Sequence, residues 1–432
     1  MTLSLRRSRA PGERAPTRAF NPGVAVLLGN TLLMNFGFSM LIPLLALHFT
    51  GSLGFTAASI GLVLALRQVA QQGLDLVGGL IADRIGARTS IVIGCFVRAA
   101  GFLGVGVSHT LPTLLTAAVV SGIGGAFFDA PGTAALADLV MPANRQRAFA
   151  ASATMGNVGG TVGPVLGVAL LGVDFMVVSI AAAVCFVAAG TLTWLVLPAT
   201  ALRGAPSRSG RHRVPHAQAP LAVLLRDRTF VALTALLAGF WFLWAQINIT
   251  VPLRAASLGG AQLAAIAFAI NAAPAIALQY PLARYIGKRF HSQRVLAVSL
   301  GLCGAGMVVA FAAPGITVFL LGVLLFALAR MVIWPTINTV TAERAPAGML
   351  GAYFGFGALA IALGAGTGQV AGGWLYDLAT RWHQPAMLYG SFGVIGLAAT
   401  IGLTRLRFGP ARPTPAAAAA DVAAARPIAA RD

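Results

Sequence analysis

Charged residues inside long apolar stretches are the part of this sequence best suited to chemistry. A carboxyl group held away from water can take up and release a proton, whereas a guanidinium keeps its charge and acts as a partner. Asp129 stands two residues before Pro131, where the missing amide loosens a helix and admits water. The candidates for proton coupling are Asp129, Asp75, Arg67 and Arg330.

The residue pattern leaves two roles open for each of these groups. Asp129 is either a proton carrier or the acidic partner of Arg67 or Arg98 in a salt bridge that locks this part of the fold. Asp75 is either a proton relay or a partner to an interior arginine. The arginines are either counter-charges for Asp129 or structural anchors, and Arg330, midway along its stretch, fits a cavity.

Amide and aromatic side chains in the apolar stretches point to a cavity for bulky lipophilic, often cationic, compounds. Stacking and cation–π contact would hold such compounds. An aromatic belt at the membrane interface is the alternative interpretation for tryptophans such as Trp241 and Trp334. The cavity candidates are Asn35, Gln68, Gln71, Trp244, Gln246, Asn271 and Asn338.

The elements that must position these residues are membrane-spanning helices. Of the 432 residues, 58% are apolar and 9% charged, whereas about a quarter of the residues in soluble domains are charged. Apolar runs of about 20 residues mark spanning helices. The sequence predicts twelve of them, at 23–47, 56–82, 90–108, 112–138, 148–172, 175–197, 229–253, 261–284, 292–313, 315–341, 349–375 and 385–404.

The basic residues indicate orientation. A net charge of +19 would suggest a nucleic-acid partner in a soluble protein. Threading twelve spans from a cytoplasmic N-terminus instead places 25 of the 30 Lys and Arg residues in the cytoplasm, with only Arg254 and Arg381 outside. This asymmetry follows the positive-inside rule, so we expect both termini in the cytoplasm and no nucleic-acid partner.

A charged turn at residues 79–88 separates the second and third spans. Gly86 suits a reversal with positive φ, and Asp83 can pair with nearby bases or with an exposed helix end. The fourth span ends with an acid followed by a base. We interpret these residues as a conformational gate, formed by Gly79, Asp83, Arg84, Gly86, Arg88, Asp138 and Arg145.

The turn, the acid-then-base exit and a glycine pattern in the fifth span together resemble the major facilitator superfamily. The pattern Gly159-x-x-x-Gly163-Pro164-x-x-Gly167 resembles the motif of its drug:proton antiporters, and small residues at this spacing let helix backbones approach closely. Arg67-Gln68 with Gln71-Gln72, and the stretch 127–131, are most similar to the MdtH-type multidrug efflux branch.

This resemblance implies an all-α membrane protein with twelve helices in two pseudo-symmetric six-helix bundles. It implies secondary active, proton-coupled efflux of small lipophilic drugs by alternating access, with antibiotic resistance as the outcome. It also implies a peripheral third helix, so we interpret Arg98 as a structural anchor, and a mobile fifth helix at the interface of the bundles.

The two halves echo each other in sequence. Pro131 and Pro142 recur 204 positions later as Pro335 and Pro346, in keeping with a parallel repeat of two six-helix halves. We divide the chain into a cytoplasmic tail (1–22), an N-terminal bundle (23–197), a cytoplasmic linker (198–228), a C-terminal bundle (229–405) and a low-complexity tail (406–432).

Other chemistry finds little support in the sequence. It contains no phosphate-binding glycine loop, and the histidines and cysteines form no ligand set, so we expect no enzyme activity, no cofactor and no metal. The expected partners are a small lipophilic substrate, protons and the lipid bilayer of a cell inner membrane, and the chain is expected to be a monomer. A narrow-specificity carrier of a sugar or amino-acid derivative, or a membrane receptor, are the alternatives.

Overall fold

A computed structural model describes residues 22–141, 145–197, 224–345 and 350–406. The predicted N-terminal tail, most of the linker and nearly all of the C-terminal tail lie outside these ranges. Within them, the first half contains α1 (Pro22–Gly51), α2 (Ala57–Ile85), α3 (Ala87–Gly106), α4 (Leu111–Leu139), α5 (Arg145–Leu171) and α6 (Phe175–Val196).

The second half is also helical, with three interruptions. Its long helices are α7 (Arg228–Ala245), α8 (Thr250–Arg289), α9 (Ser292–Ala312), α10 (Ile316–Arg330), α11 (Ile333–Arg344), α12 (Leu350–Arg381) and α13 (Ala386–Arg405). A short 3₁₀ turn, Gln246–Asn248, links α7 to α8. The helical path of α8 breaks at Gly259 and at Gly260, which has φ +74°, and α10 is separated from α11 by two residues.

Local sequence signals explain several helix starts. The Thr56 hydroxyl accepts a hydrogen bond from the Ser59 amide at 3.1 Å and caps α2. The Asp174 carboxylate caps α6 through the Met176 amide at 2.6 Å. The Asp227 carboxylate caps α7 through the Phe230 amide at 3.0 Å. Short oxygen-bearing side chains at these positions satisfy amides that the helix leaves unpaired.

The helices are consistent with twelve membrane crossings. Ten stretches are long and apolar enough to span a bilayer, and one of them, Arg228–Ala275, extends across the break at Gly259 and so contains two crossings. α2 is not among the ten, although its 29 residues are sufficient in length, because it carries charged side chains within the span. Counting α2 and dividing Arg228–Ala275 gives the predicted number.

Each half encloses its own packed core. One core gathers Met40, Phe49, Phe102 and Phe186 from α1, α3 and α6, and the other gathers Phe230, Phe319 and Phe392 from α7, α10 and α13. Leu224, 1% exposed, also belongs to the second core, and the boundary at 229 stays a prediction. The halves meet where α2 packs against α12 and α5 against α8.

The outer surface of the bundle is apolar. Leu195, Val394 and Leu363 are 72%, 66% and 63% exposed. A soluble monomer does not present so much exposed aliphatic surface, whereas lipid is a suitable solvent for it. The fold is therefore an all-α membrane bundle in which packing between helices replaces the hydrophobic effect as the force that joins them.

We predict that Gly51 faces the outside and Ser207 the cytoplasm. In a background where Cys95, Cys185 and Cys303 are alanine, Gly51→Cys should react with a membrane-impermeant maleimide in intact cells. Ser207→Cys should react only after the membrane is opened. A side chain at residue 51 meets no atom within 4 Å, so the label has access. The reverse labelling pattern would contradict the predicted orientation.

Candidate functional site

A buried polar cluster in the N-terminal half joins α2 to α4. Arg67, 4% exposed, donates from Nη1 to Gln71 Oε1 at 2.7 Å and from Nη2 to Gln68 Oε1 at 2.7 Å. Gln71 in turn donates through Nε2 to the Asp129 carboxylate. The connection Arg67–Gln71–Asp129 therefore links a permanent cation to an ionisable acid through a single amide.

The cluster resolves one of the open sequence interpretations. Asp129 does not form a direct ion pair with Arg67 or Arg98 within the described residues, where the ion pair recorded is Arg344–Asp227 at 3.5 Å. The amide of Gln71 stands between the two charges instead. A carboxylate held by one neutral donor keeps lone pairs for other partners, which suits a group that must exchange a proton more than a locked salt bridge would.

Arg98, one of the two arginines considered as partners of Asp129, belongs to the same cluster. Its guanidinium carbon lies 5.3 Å from the centre of the Phe38 ring, and Arg67 lies 4.9 Å from the same ring. Arg98 is only 5% exposed and also stacks on Phe186. These contacts join α3 to α1 and α6, and the role of Arg98 as a structural anchor stays a prediction.

A glycine on α4 makes room for the cluster. A Cβ atom at Gly125 would lie 2.7 Å from Gln71 Cδ and 3.0 Å from Arg98 Nη1. Only the absence of a side chain at this position lets the amide and the guanidinium lie together against α4.

The cluster also contains polar atoms that lack a partner within the described residues. One carboxylate oxygen of Asp75 and the side-chain oxygen of Gln72 are buried without a hydrogen bond. Unpaired buried oxygens are costly, and they offer acceptors at the residue after Gln71 and, at Asp75, one helical turn further along α2. Asp75 therefore remains a candidate relay beside the Asp129 site.

The glycine pattern of α5 packs against α1. A Cβ atom at Gly159 would lie 2.6 Å from the Leu32 carbonyl oxygen, and one at Gly163 would lie 2.6 Å from the Phe36 carbonyl oxygen. Gly167 approaches the Met40 carbonyl in the same way, and Pro164 lies between these contacts within α5. The glycine face thus seals a seam inside one half, while other residues of α5 contact α8 across the interface.

The predicted gate is only partly described. Gly86 has φ +88°, as the turn requires, and its amide donates to the Ala82 carbonyl at 2.8 Å. Arg88 donates to the Trp194 carbonyl and stacks on that indole ring at 4.5 Å, so it contacts α6. Arg84 is exposed. The surroundings of Gly79 and the side chains of Asp83, Asp138 and Arg145 lie outside what the structure describes.

Three predicted cavity residues make hydrogen bonds within the protein. Gln246, fully buried, donates to the Phe242 and Gly368 carbonyls at 2.9 Å each and accepts from the Thr250 hydroxyl at 3.2 Å. It therefore joins the 3₁₀ turn to α12 and does not line a cavity, which corrects that prediction. Gln68 accepts from Arg67, and Gln71 accepts from Arg67 and donates to Asp129, both within the buried polar cluster.

The remaining cavity candidates lie at separate places. Asn35 is exposed beside Gly156 of α5 and donates to the Thr31 carbonyl at 2.8 Å. Asn338 is half-buried on α11. Asn271, on α8, accepts from Arg330. Trp244 belongs to an aromatic cluster with Trp241 at 5.6 Å.

The start of α2 is joined to the other half through an acid that the sequence did not single out as functional. The Asp377 carboxylate of α12 accepts hydrogen bonds from the Ala57 amide at 2.9 Å and the Ala58 amide at 2.8 Å. These amides begin α2, where the positive end of the helix dipole favours an anion. Asp377 therefore caps a helix of the opposite half.

Comparison with known proteins places this geometry in context. The family model of the Major Facilitator Superfamily matches residues 27–368 and 244–430. The multidrug resistance protein MdtH of Escherichia coli is 34% identical over 384 residues, which are 88% of this chain and 93% of that protein. MdtH of Shigella boydii matches with the same identity and coverage.

Solved structures share the fold at low sequence identity. A bacterial homologue of the human lysosomal transporter Spinster, solved inward-facing and unoccupied, has a TM-score of 0.74 and 16% identity, covering 90% of this chain and 99% of that one. The nucleoside transporter NupG has a TM-score of 0.73 and 13% identity, covering 90% and 100%.

We predict that Gly163→Ala destabilises the fold and that Gly160→Ala does not. The new Cβ at residue 163 meets a backbone carbonyl that cannot move independently, whereas the nearest atom to one at residue 160 is Ser39 Oγ at 3.7 Å. Alanine also favours a helix over glycine by about 1 kcal/mol. In detergent, the melting temperature should fall for the first variant and stay level or rise for the second. Equal melting temperatures would contradict the seam between α1 and α5.

Proposed function

Because the chain belongs to the major facilitator superfamily, and is therefore a secondary transporter, we propose that it exports small lipophilic drugs in exchange for protons. The observation that supports proton exchange is the buried connection Arg67–Gln71–Asp129 in the N-terminal half. The identity with MdtH, a multidrug resistance protein, over 88% of the chain supports drug efflux. The membrane would be a cell inner membrane, with a monomer as the working unit.

Proton binding at Asp129 would change the charge balance of the cluster. Arg67 and Arg98 supply two positive charges, and Asp75 and Asp129 supply two negative ones when ionised. Protonation of Asp129 leaves the cluster with a net positive charge next to the interface. A charge change inside a bundle is worth more than in water because the surroundings screen it poorly, so it can bias which face of the protein is open.

Alternating access needs a closed face that can open. The contacts between the halves include Asp377, which caps α2, and Gly373, which lies against the Ala57 carbonyl. The predicted topology puts these residues at the outer ends of the helices. We infer that the described state opens toward the cytoplasm and that export requires release of this outer contact. The gate residues Gly79, Asp83, Arg84, Gly86, Arg88, Asp138 and Arg145 would close the cytoplasmic face in the opposite state.

We predict that Asp129→Asn abolishes uphill transport while it permits downhill flux. In proteoliposomes, a one-unit pH gradient can sustain about tenfold accumulation for each proton exchanged, since one pH unit corresponds to about 1.4 kcal/mol. The wild type should build such a gradient of a fluorescent lipophilic drug, and a protonophore should remove it. Asp129→Asn should only equilibrate the drug, because its neutral amide cannot carry the proton.

Two further variants make this result specific. Asp174→Asn removes a charge at the outer end of α6 but keeps a side chain that can cap the helix, so accumulation should persist. Asp75→Asn tests the neighbouring acid. If Asp129→Asn still accumulates drug in response to the pH gradient, Asp129 is not the proton carrier and Asp75 is the acid to pursue.

We predict that Asp377→Asn favours opening of the outer face. Asparagine keeps a single acceptor oxygen, so one of the two backbone amides loses its partner and faces an NH2 group, and the remaining hydrogen bond is neutral and weaker. The contact it weakens joins different halves. Gln369, 2% exposed on α12 next to Gly61 of α2, serves as the reporter once it is changed to cysteine. Its reaction with an impermeant reagent from outside should be faster in the Asp377→Asn background.

The matched control for this experiment is again Asp174→Asn. That residue caps a helix at the same side of the membrane but within a single half. Faster labelling in both backgrounds would indicate general loosening, and unchanged labelling in Asp377→Asn would show that the cap does not hold the halves together.

A further inference from the structure

Arg330 is an intramembrane arginine of the C-terminal half that does not belong to the polar cluster of the N-terminal half. It ends α10, where its Nε donates to Asn271 Oδ1 at 3.1 Å and its Nη2 donates to the Asn271 carbonyl at 2.8 Å. Both bonds use one side of the guanidinium. The other end, formed by Nη1 and the second hydrogen of Nη2, makes no hydrogen bond within the described chain.

No acid of the described chain neutralises this group. The described carboxylates of the C-terminal half all lie near helix ends: Asp227 pairs with Arg344, Asp377 caps α2, and Glu343 is exposed. With Arg67 and Arg98 balanced by Asp75 and Asp129, Arg330 leaves the membrane interior with one positive charge in excess. An uncompensated guanidinium is expensive in this setting and calls for an anion.

Arg330 is half-buried, so part of its side chain is not enclosed by the described chain. An intramembrane charge faces a bundle interior or a water-filled space and not lipid. Asn271, which holds it, lies on α8, and α8 packs against α5 of the other half. Arg330 is 14 residues from the start of α10, about 21 Å at 1.5 Å per residue. Asp129 is 18 residues from the start of α4, about 27 Å, so the two groups lie at similar depths.

An aromatic surface follows directly in the chain. Trp334, 47% exposed, is four residues beyond Arg330 and lies edge-to-face with Trp241 at 5.7 Å. Trp241 also contacts Trp244 at 5.6 Å. The sequence left open whether these tryptophans form an interfacial belt. Met331 and Val332 both keep helical φ/ψ, so Trp334 lies about one helical turn beyond Arg330. The indoles of α7 and α11 that contact each other offer a surface on which a flat ring can stack.

We propose that Arg330 and the cluster Trp241–Trp244–Trp334 form a subsite for an aromatic substrate that carries a carboxylate. This inference rests on the proposed function and narrows its substrate class from lipophilic compounds in general to those with an anionic group. The free end of the guanidinium offers two parallel N–H donors, which match the two oxygens of a carboxylate. Asn271 binds the opposite edge of the guanidinium and so fixes the direction in which these two donors point.

The test compares 2-naphthoate with 2-naphthamide, which have the same ring and differ in charge. Binding is measured by equilibrium dialysis on the full chain in phosphatidylcholine nanodiscs at neutral pH, with empty nanodiscs as the blank. We expect the wild type to bind the carboxylate about tenfold more tightly than the amide. Arg330→Gln should remove that preference and leave amide binding within about twofold of the wild type, which also shows that the variant is folded.

Arg254→Gln is the matched control. Arg254 is another partly buried arginine of the same half, and it donates to the Ala313 carbonyl at 2.8 Å near the outer ends of α9 and α10. Its loss should leave the preference unchanged. If Arg330→Gln does not fold, Arg330→Lys replaces it: a lysine keeps the charge but not the fork, so the preference should shrink.

Several results would overturn the subsite. A wild type without carboxylate preference, an Arg330→Gln variant that keeps the preference, or an Arg330→Lys variant with full preference would each do so. The proposed function is judged separately in proteoliposomes. If the wild type accumulates a cationic dye against a gradient without preferring naphthoate, the proposed export is supported and the anion subsite is contradicted. If naphthoate is preferred without gradient-driven accumulation, the anion subsite is supported and proton-driven export is contradicted.

Discussion

A charge within the hydrocarbon layer must find its partners inside the protein, and this requirement shapes the N-terminal half. Each arginine or aspartate near the centre of a span costs about 3 kcal/mol on insertion scales. Arg67 meets that cost with two glutamine oxygens and the face of Phe38. Asp129 depends on Gln71. The close approach of α2 and α3 to α4, and the need for glycine at position 125, follow from keeping these groups together.

The fold contains two kinds of close helix contact, one within a half and one between the halves. The seam between α1 and α5, made by Gly159, Gly163 and Gly167, lies within one half, so the proposed alternating access would leave it intact. The contact between α2 and α12 lies between halves, where Gly61 and Gly373 let backbones meet. Backbone contact without interlocking side chains separates cleanly, so glycine suits a surface that must part and close again.

The sequence predicted the positions of the helices better than the contacts that their side chains make. Apolar length and charged turns predicted the spans of the first half to within about four residues. In the second half, the predicted span 229–253 is interrupted after Ala245, and the predicted span 315–341 is interrupted between Arg330 and Ile333. The need for positive φ at Gly86 was confirmed. Hydropathy says which residues are within the membrane, but it does not say which way a side chain turns. Gln246 was therefore interpreted as cavity lining, although it holds α12, and the contact of Arg98 with Phe38 was not predicted. Asp377 sits at a helix end, and only the tertiary fold shows that it caps a helix from the other half.

The polar stripe of α2 has a consequence for how the protein is made. With Arg67 and Asp75 in its span, α2 alone would face an insertion cost of about 5–7 kcal/mol near the bilayer centre. Arg67 finds its partners on α2 itself and on α1, through Gln68, Gln71 and Phe38. Asp129 of α4, the acid that Gln71 binds, is synthesised 62 positions after Arg67. The polar contacts of α2 are therefore completed only when α4 arrives, so we expect the first half to insert by cooperative assembly of several helices.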